Sequence, residues 1–256
     1  MRSLLAITIA KAVMKASRIT GKGGSSLPGL LAHKIDPDIL AKLVINNFPR
    51  GIIVVTGTNG KTTTTLMLES MLKAAGLRTT SAGNIGRSLV EVVMDPDGYD
   101  VIAVEVGAPQ LPFVYSMSPH SAVCLNVAED HLDHFGAMAD YVTTKAKVYE
   151  RTQVAAIYNA QDHQTLAMVQ DADVIEGCRA IGFSLQTPGL SELGLVEDIL
   201  VDRAFIDNRA THAQELATVD DVHPQALHNV ANALAAAALA RSFGVEPADR
   251  KSTRLN

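Results

Sequence analysis

Four short apolar runs limit the folds open to this chain: "GIIVVTG" (51–57), "YDVIAVEVG" (99–107), "HSAVCLNVAED" (120–130) and "VAAIYNAQD" (154–162). Each is built on continuous β-branched and small apolar residues, without the polar alternation of a half-solvated strand. Strands covered on both faces read this way, and they belong to parallel sheets. Helical patterns alternate with them. "KTTTTLMLESMLKAAG" (61–76) carries Leu66, Met67, Met71 and Leu72 at helical spacing and stops at Gly76. "MADYVTTKAKVYE" (138–150), "HQTLAMVQDA" (163–172) and the Ala-rich "HPQALHNVANALAAAALARSFG" (223–244) read as further helices, the last closing on Gly244. "LGLVEDILVDRAF" (193–205) reads as a polar-edged hairpin. The alternation predicts an α/β fold with a phosphate loop: a doubly wound, mostly parallel sheet flanked by helices, with a small antiparallel hairpin region. Ligands of such sheets sit at the carboxyl ends of the strands.

The first of those ends is "VVTGTNGKTT" (54–63). A strand, a Gly-containing turn and a helix opening on Lys-Thr turn the backbone N–H groups of Gly57, Thr58, Asn59, Gly60, Lys61, Thr62 and Thr63, with the helix dipole, onto an anion. In such a site Lys61 can reach the β- and γ-phosphates of a nucleotide, and the Thr62 hydroxyl can ligate Mg²⁺. Val55 stands where the general G-x-x-x-x-G-K-[ST] pattern has its first glycine. A Gly-rich turn with an incidental lysine is the plainer reading, but the placement between strand and helix favours a nucleotide. Glu105 closes an otherwise apolar strand, and a buried carboxylate is costly unless it meets a cation; Mg²⁺ beside a phosphate loop is its natural partner. Asn126, Glu129, Asp130, His131, Asp133 and His134 crowd the end of the third run. A solvated acidic loop accounts for Asp133 and His134, whereas His131 follows closely on the strand and offers a ring nitrogen to a metal. Lys145, by helical periodicity alone, reads as a surface lysine.

Bulk properties exclude several classes. The 256 residues are 47% hydrophobic and 19% charged, and the formal charge is -5 with Lys and Arg scattered, which gives no nucleic-acid footprint. Two cysteines, Cys124 and Cys178, make neither a disulfide framework nor a zinc ribbon, so a cytoplasmic, reducing location is expected. Cys124, inside "SAVCLNV", is expected to pack as a small hydrophobe. In "MRSLLAITIAKAVMKASRITGKGG" (1–24), Lys11 and Lys15 interrupt an apolar stretch too short to span a bilayer. Leu5, Ile9 and Val13 fit one face of a cationic amphipathic helix, and packing on the domain is preferred over contact with a membrane surface. Three parts are expected: a helical leader (1–47) with a break at "GKGGSSLPG" and a helix from about Pro37; a nucleotide-binding domain (48–245); and a truncated, non-native linker or tail (246–256) ending in "KSTRLN".

Seven segments together, "TGTNGKTTTT", "GNIG" (83–86), "VEVGAPQL" (104–111), "LNVAEDHLDHFG" (125–136), "YVTTKAKVYE" (141–150), "YNAQD" (158–162) and "HNVANALAAAALA" (228–240), resemble the central ATP-binding domain of the Mur ligase family. These are ATP-dependent amide-forming enzymes of peptidoglycan synthesis, and the resemblance runs over about residues 50–245. The family's short phosphate loop, T-G-T-[NK]-G-K-[ST], accounts for Val55. The resemblance implies that Lys61 and the loop amides hold the phosphates of ATP. It implies that Thr62 and Glu105 hold one Mg²⁺ and that His131 ligates a second. Lys145 matches a lysine that is carbamylated in the family and supports that second ion, which requires a lowered amine pKa. Asn84 would touch substrate or phosphates, and Asn229 and Asn232 the adenine. One departure stands out: Gly107-Ala108-Pro109 replaces the family's Ser-Ser-Phe.

Within the family the body is most similar to the branch that adds D-glutamate to UDP-N-acetylmuramoyl-L-alanine through an acyl phosphate. The partners implied are a UDP-linked muramyl substrate and an amino acid. "RITGKGGSSLPGLLAHKIDPDIL" (18–40) instead resembles the leader of a subunit that amidates lipid II with a glutaminase partner, whose four-cysteine zinc ribbon two cysteines cannot build. The family's uridine-binding domain and its C-terminal domain find no match in these residues. A nucleotide-binding fragment without catalysis is therefore a third reading.

Overall fold

The computed structural model describes residues 50–130 and 135–247, together with Leu5, Thr8, Ile9, Ala12 and Ile35. The leader and its helix from Pro37, apart from those single positions, lie outside the described residues, as do His131, Asp133, His134 and the tail from 248 onward.

The described strands form one nine-stranded sheet in the order β2-β3-β1-β4-β5-β6-β7-β8-β9. β1 (Ile52–Thr56) pairs in parallel with β3 (Val101–Glu105) on one side and β4 (Ser121–Cys124) on the other. β2 (Thr79–Gly83) lies outside β3, and β5 (Ala155–Asn159), β6 (Arg179–Phe183) and β7 (Glu192–Val196) continue the parallel run beyond β4. The hairpin expected at 193–205 is present: β7 turns into antiparallel β8 (Ile199–Asp202), and β9 (Gln214–Thr218) pairs antiparallel with β8 at the edge.

Strand alternation sends β1 side chains to two separate apolar layers. Ile53 and Val55 join Leu68, Leu72 and Leu234 on one face, while Ile52 and Val54 join Val93, Tyr149 and Met168 on the other. The first layer is closed by α1 (Lys61–Ala74) and the last helix, and the second by α2 (Leu89–Val93), α3 (Met138–Ala146) with its 3-10 extension Lys147–Tyr149, and α4 (His163–Gln170). This is the doubly wound arrangement.

The last helix, α5 (Leu227–Ser242), is apolar around most of its circumference and is buried from Ala233 to Arg241. Its alanines bring the backbone close to α1 and the sheet. α1 and α5 stop in the same way. Gly76 and Gly244 take positive φ, at 78° and 86°, and the amides beyond them bond back into the last turn, Leu77 to the Leu72 carbonyl and Val245 to the Ala240 carbonyl. α5 is also tied to the hairpin: Arg241 Nε donates to Asp202 Oδ2 at 2.7 Å, and both side chains are buried.

The parallel register places the functional segments at one edge. Val55 lies beside Glu105 and Thr56 beside Cys124, so the loop after β1, the end of β3 and the segment after β4 leave the sheet together. Thr56 Oγ1 donates to the Val106 carbonyl at 2.8 Å and fastens the first two of these ends.

Candidate active site

The loop between β1 and α1 turns through Gly60, at φ 82°, where a Cβ would sit 2.3 Å from Asn232 Oδ1. Only glycine fits there, and the close approach puts Asn232 of α5 against the phosphate loop. Lys61 folds back over the loop, its Nζ donating to the carbonyls of Gly57 (3.0 Å) and Thr58 (2.8 Å). The ammonium is therefore held beside the N-terminus of α1, where leading amides and helix dipole suit an anion.

Thr62 Oγ1 donates to Glu105 Oε2 at 2.9 Å. Asn84 Nδ2 donates to the other carboxylate oxygen at 3.0 Å. Glu105 is 2% exposed, and both of these side-chain partners are neutral. A buried carboxylate so placed, next to a hydroxyl and a phosphate loop, supplies the hard oxygen donors that suit Mg²⁺. Asn84 reaches Glu105 because Gly83, at φ 104°, lets the chain cross 2.2 Å (measured from an added Cβ) from the Glu105 carbonyl; the Asn84 amide then donates to that same carbonyl at 2.9 Å.

Lys145 corrects the surface reading drawn from periodicity, for it is 1% exposed. α3 is short, and Tyr141 and Lys145, four residues apart, both face inward. Nζ lies 4.8 Å from the Tyr141 ring centroid. Burial, reinforced by the positive charge of Lys61, lowers the amine to about 8 against opposing effects of Cys124 and Asp130. An appreciable fraction is therefore the neutral, nucleophilic amine near neutral pH. Burial also pushes the Cys124 thiol up to about 12, so it packs as an inert hydrophobe as its sequence context predicts.

Lys61, Thr62, Glu105, Asn84 and Asn232 thus meet at one edge of the sheet, with Lys145 buried in the adjoining α3. Asn229 is also buried, its Nδ2 donating to the Pro224 carbonyl at 2.9 Å. His131 lies outside the described residues. Two further residues act on the loop. Tyr141 OH shares a 3.1 Å hydrogen bond with Thr58 Oγ1. Asn126, met in the sequence only as one member of a polar run, contacts Thr58 and Asn59 through its side chain. Its position immediately after a buried strand, level with the loop, is the signal that could have singled it out. Gly107-Ala108-Pro109 opens a 3-10 turn (Ala108–Phe113), with the Gly107 amide donating to Gln110 Oε1 at 2.8 Å.

The Mur ligase middle domain matches residues 55–240. The chain belongs to the Mur ligase family. A UDP-N-acetylmuramoylalanine–D-glutamate ligase of Streptomyces avermitilis is 58% identical over 193 residues, covering 75% of this chain and 41% of that protein. The protein of the same name from Streptomyces coelicolor is 57% identical over 200 residues, covering 78% and 42%. The chain thus spans about two fifths of the length of these relatives. Among solved structures, the MurF ligase of Thermotoga maritima in complex with ADP superposes with a TM-score of 0.63 at 20% identity, covering 87% of this chain and 52% of that one. That likeness establishes a Mur ligase fold for the sheet and its helices.

Proposed function

We propose that this chain carries the ATP-binding part of a cytoplasmic ligase that joins D-glutamate to UDP-N-acetylmuramoyl-L-alanine. The observation that carries the reading is the Thr62–Glu105 pair beside Lys61, in a family chain whose relatives bear that ligase name. The leader's likeness to a glutaminase-partnered subunit favours a second reading, in which lipid II is amidated; the sequence relatives favour the first.

In the proposed reaction the substrate carboxylate attacks the γ-phosphorus of ATP in line, forming an acyl phosphate as the bond to the ADP oxygen breaks. The D-glutamate amine then attacks the acyl carbon. The tetrahedral intermediate releases inorganic phosphate, and the proton from the amine passes to solvent or phosphate. Lys61 and the amides of the first turn of α1 bind the phosphates and offset the charge that develops on them. Thr62 and Glu105 would hold Mg²⁺, which when bound neutralises β- and γ-phosphate charge. Asn84 fixes the orientation of Glu105. Lys145, as a carbamate, and His131 would serve a second ion. Asn232, which meets the loop at Gly60, and Asn229, on the same helix α5, would contact the adenine.

The test uses the protein extended to the length of its relatives. ADP and phosphate release should depend on both UDP-N-acetylmuramoyl-L-alanine and D-glutamate. Turnover that instead requires a co-purifying glutaminase and lipid II would replace this reading with the second.

A further inference from the structure

The nucleotide reading treats the phosphate loop as one string of amides, but the loop is divided. Asn126, half-buried just past β4, accepts at Oδ1 from the amides of Thr58 (3.1 Å) and Asn59 (2.8 Å). Its Nδ2 donates back to the Asn59 carbonyl at 3.0 Å. Its backbone carbonyl shares the Thr58 amide at 3.0 Å. One side-chain amide thus uses both its acceptor and a donor on two consecutive loop residues. Thr58 is gripped again through its hydroxyl, which accepts from the Ala128 amide at 3.0 Å and meets Tyr141 OH. The first limb of the loop is therefore tied to the segment after β4. The amides of Gly60 to Thr63 lie at the α1 N-terminus, where a helix lacks internal acceptors for its leading N–H groups.

We infer that Asn126 is a positioning residue for nucleotide phosphate. It anchors the Thr58–Asn59 limb and leaves anion binding to the amides of Gly60–Thr63 and to Lys61. The inference rests on the nucleotide reading above and assigns Thr58 and Asn59 an anchoring role in place of phosphate contact through their amides. Neither aspartate nor alanine reproduces the contact. Aspartate keeps the acceptor but loses the donor and adds negative charge near the phosphates, and alanine loses both.

Amide hydrogen exchange on the wild-type chain tests the division without any variant. Thr58 and Asn59 should be protected before nucleotide is added and change little with Mg-ADP, while Gly60–Thr63 gain protection. Free exchange at Thr58 and Asn59, or a gain with Mg-ADP matching that of Gly60, would overturn the inference. Titration calorimetry tests the consequence. Asn126→Ala should weaken Mg-ADP about tenfold or more, with adenosine, which lacks phosphates, bound as in wild type. Asn126→Asp should weaken Mg-ADP further. Wild-type affinity for Mg-ADP in Asn126→Ala, or an equal loss for adenosine, overturns the positioning role while the nucleotide reading stands. A wild-type chain that does not bind Mg-ADP overturns both.

Discussion

Lys145 shows how far a single residue's surroundings can depart from its sequence neighbourhood. Helical periodicity in "YVTTKAKVYE" does not distinguish it from Lys147, and only the family resemblance singles it out. Its burial follows from tertiary context: the short α3 turns Tyr141 and Lys145 inward together, and the ring covers the amine. Helical periodicity has too few turns in such a helix to fix a face. In the protein extended to the length of its relatives, the proposed carbamate role predicts that Lys145→Ala lowers turnover about ten- to a hundredfold, and acetate or formate should restore part of it; no recovery with short carboxylates would sink that role. Glycine 83 gives the opposite lesson. "GNIG" marks a motif but not its reason, which is the close crossing over the Glu105 carbonyl. Gly83→Ala should destabilise the chain by about 2–4 kcal/mol through positive φ and steric overlap. Thermal melting measures that loss, and an unchanged melting temperature would contradict the crossing.

At the scale of elements, β1, β3, β4 and β5 announce themselves because they are central, parallel and apolar on both faces. β2 ("TTSAG") and β9 ("QELAT") carry no such signal. They lie at the two sheet edges, where one side needs no neighbour and polar residues are tolerated. β6 ("RAIGF") is hidden by its glycine and arginine, which break the apolar run. The coupling of α5 to the hairpin was likewise out of reach, because Asp202 and Arg241 are 39 positions apart. Asp202 also accepts the amides of Ala204 and Phe205, and Arg241 donates to the carbonyls of Phe205 and Val245. Arg241→Met leaves a buried carboxylate without its cation and should cost about 3–5 kcal/mol. Denaturant unfolding would show it, and a loss below about 1 kcal/mol would mean the pair is not the tie between α5 and β8.

Across the whole molecule, the two ends of the sheet gather different kinds of residue. The carboxyl ends gather the phosphate loop, Glu105 and Asn126. Near the opposite end, His120 packs edge-on to Phe243 at 4.8 Å, and Arg50 lies 4.3 Å over the same ring. Burial, with Arg50 adding to it, holds the imidazole down at about 4. The unfolded chain takes up that proton near the ordinary value of 6.5, so unfolding binds protons between the two values. Stability should be level with respect to this group above about pH 6.5 and fall as pH drops toward 4. His120→Phe should flatten that acid limb in melts taken across the window; an unchanged slope would rule the residue out.

The central claim is that the edge formed by β1, β3 and β4 is a nucleotide-phosphate site. Titration calorimetry of this chain with Mg-ADP tests it most directly. The account predicts one saturable site in the wild-type chain, weakened at least a hundredfold in Lys61→Ala, where a charge-assisted grip on phosphate is lost. Absence of binding by the wild-type chain, or undiminished affinity in Lys61→Ala, would contradict it.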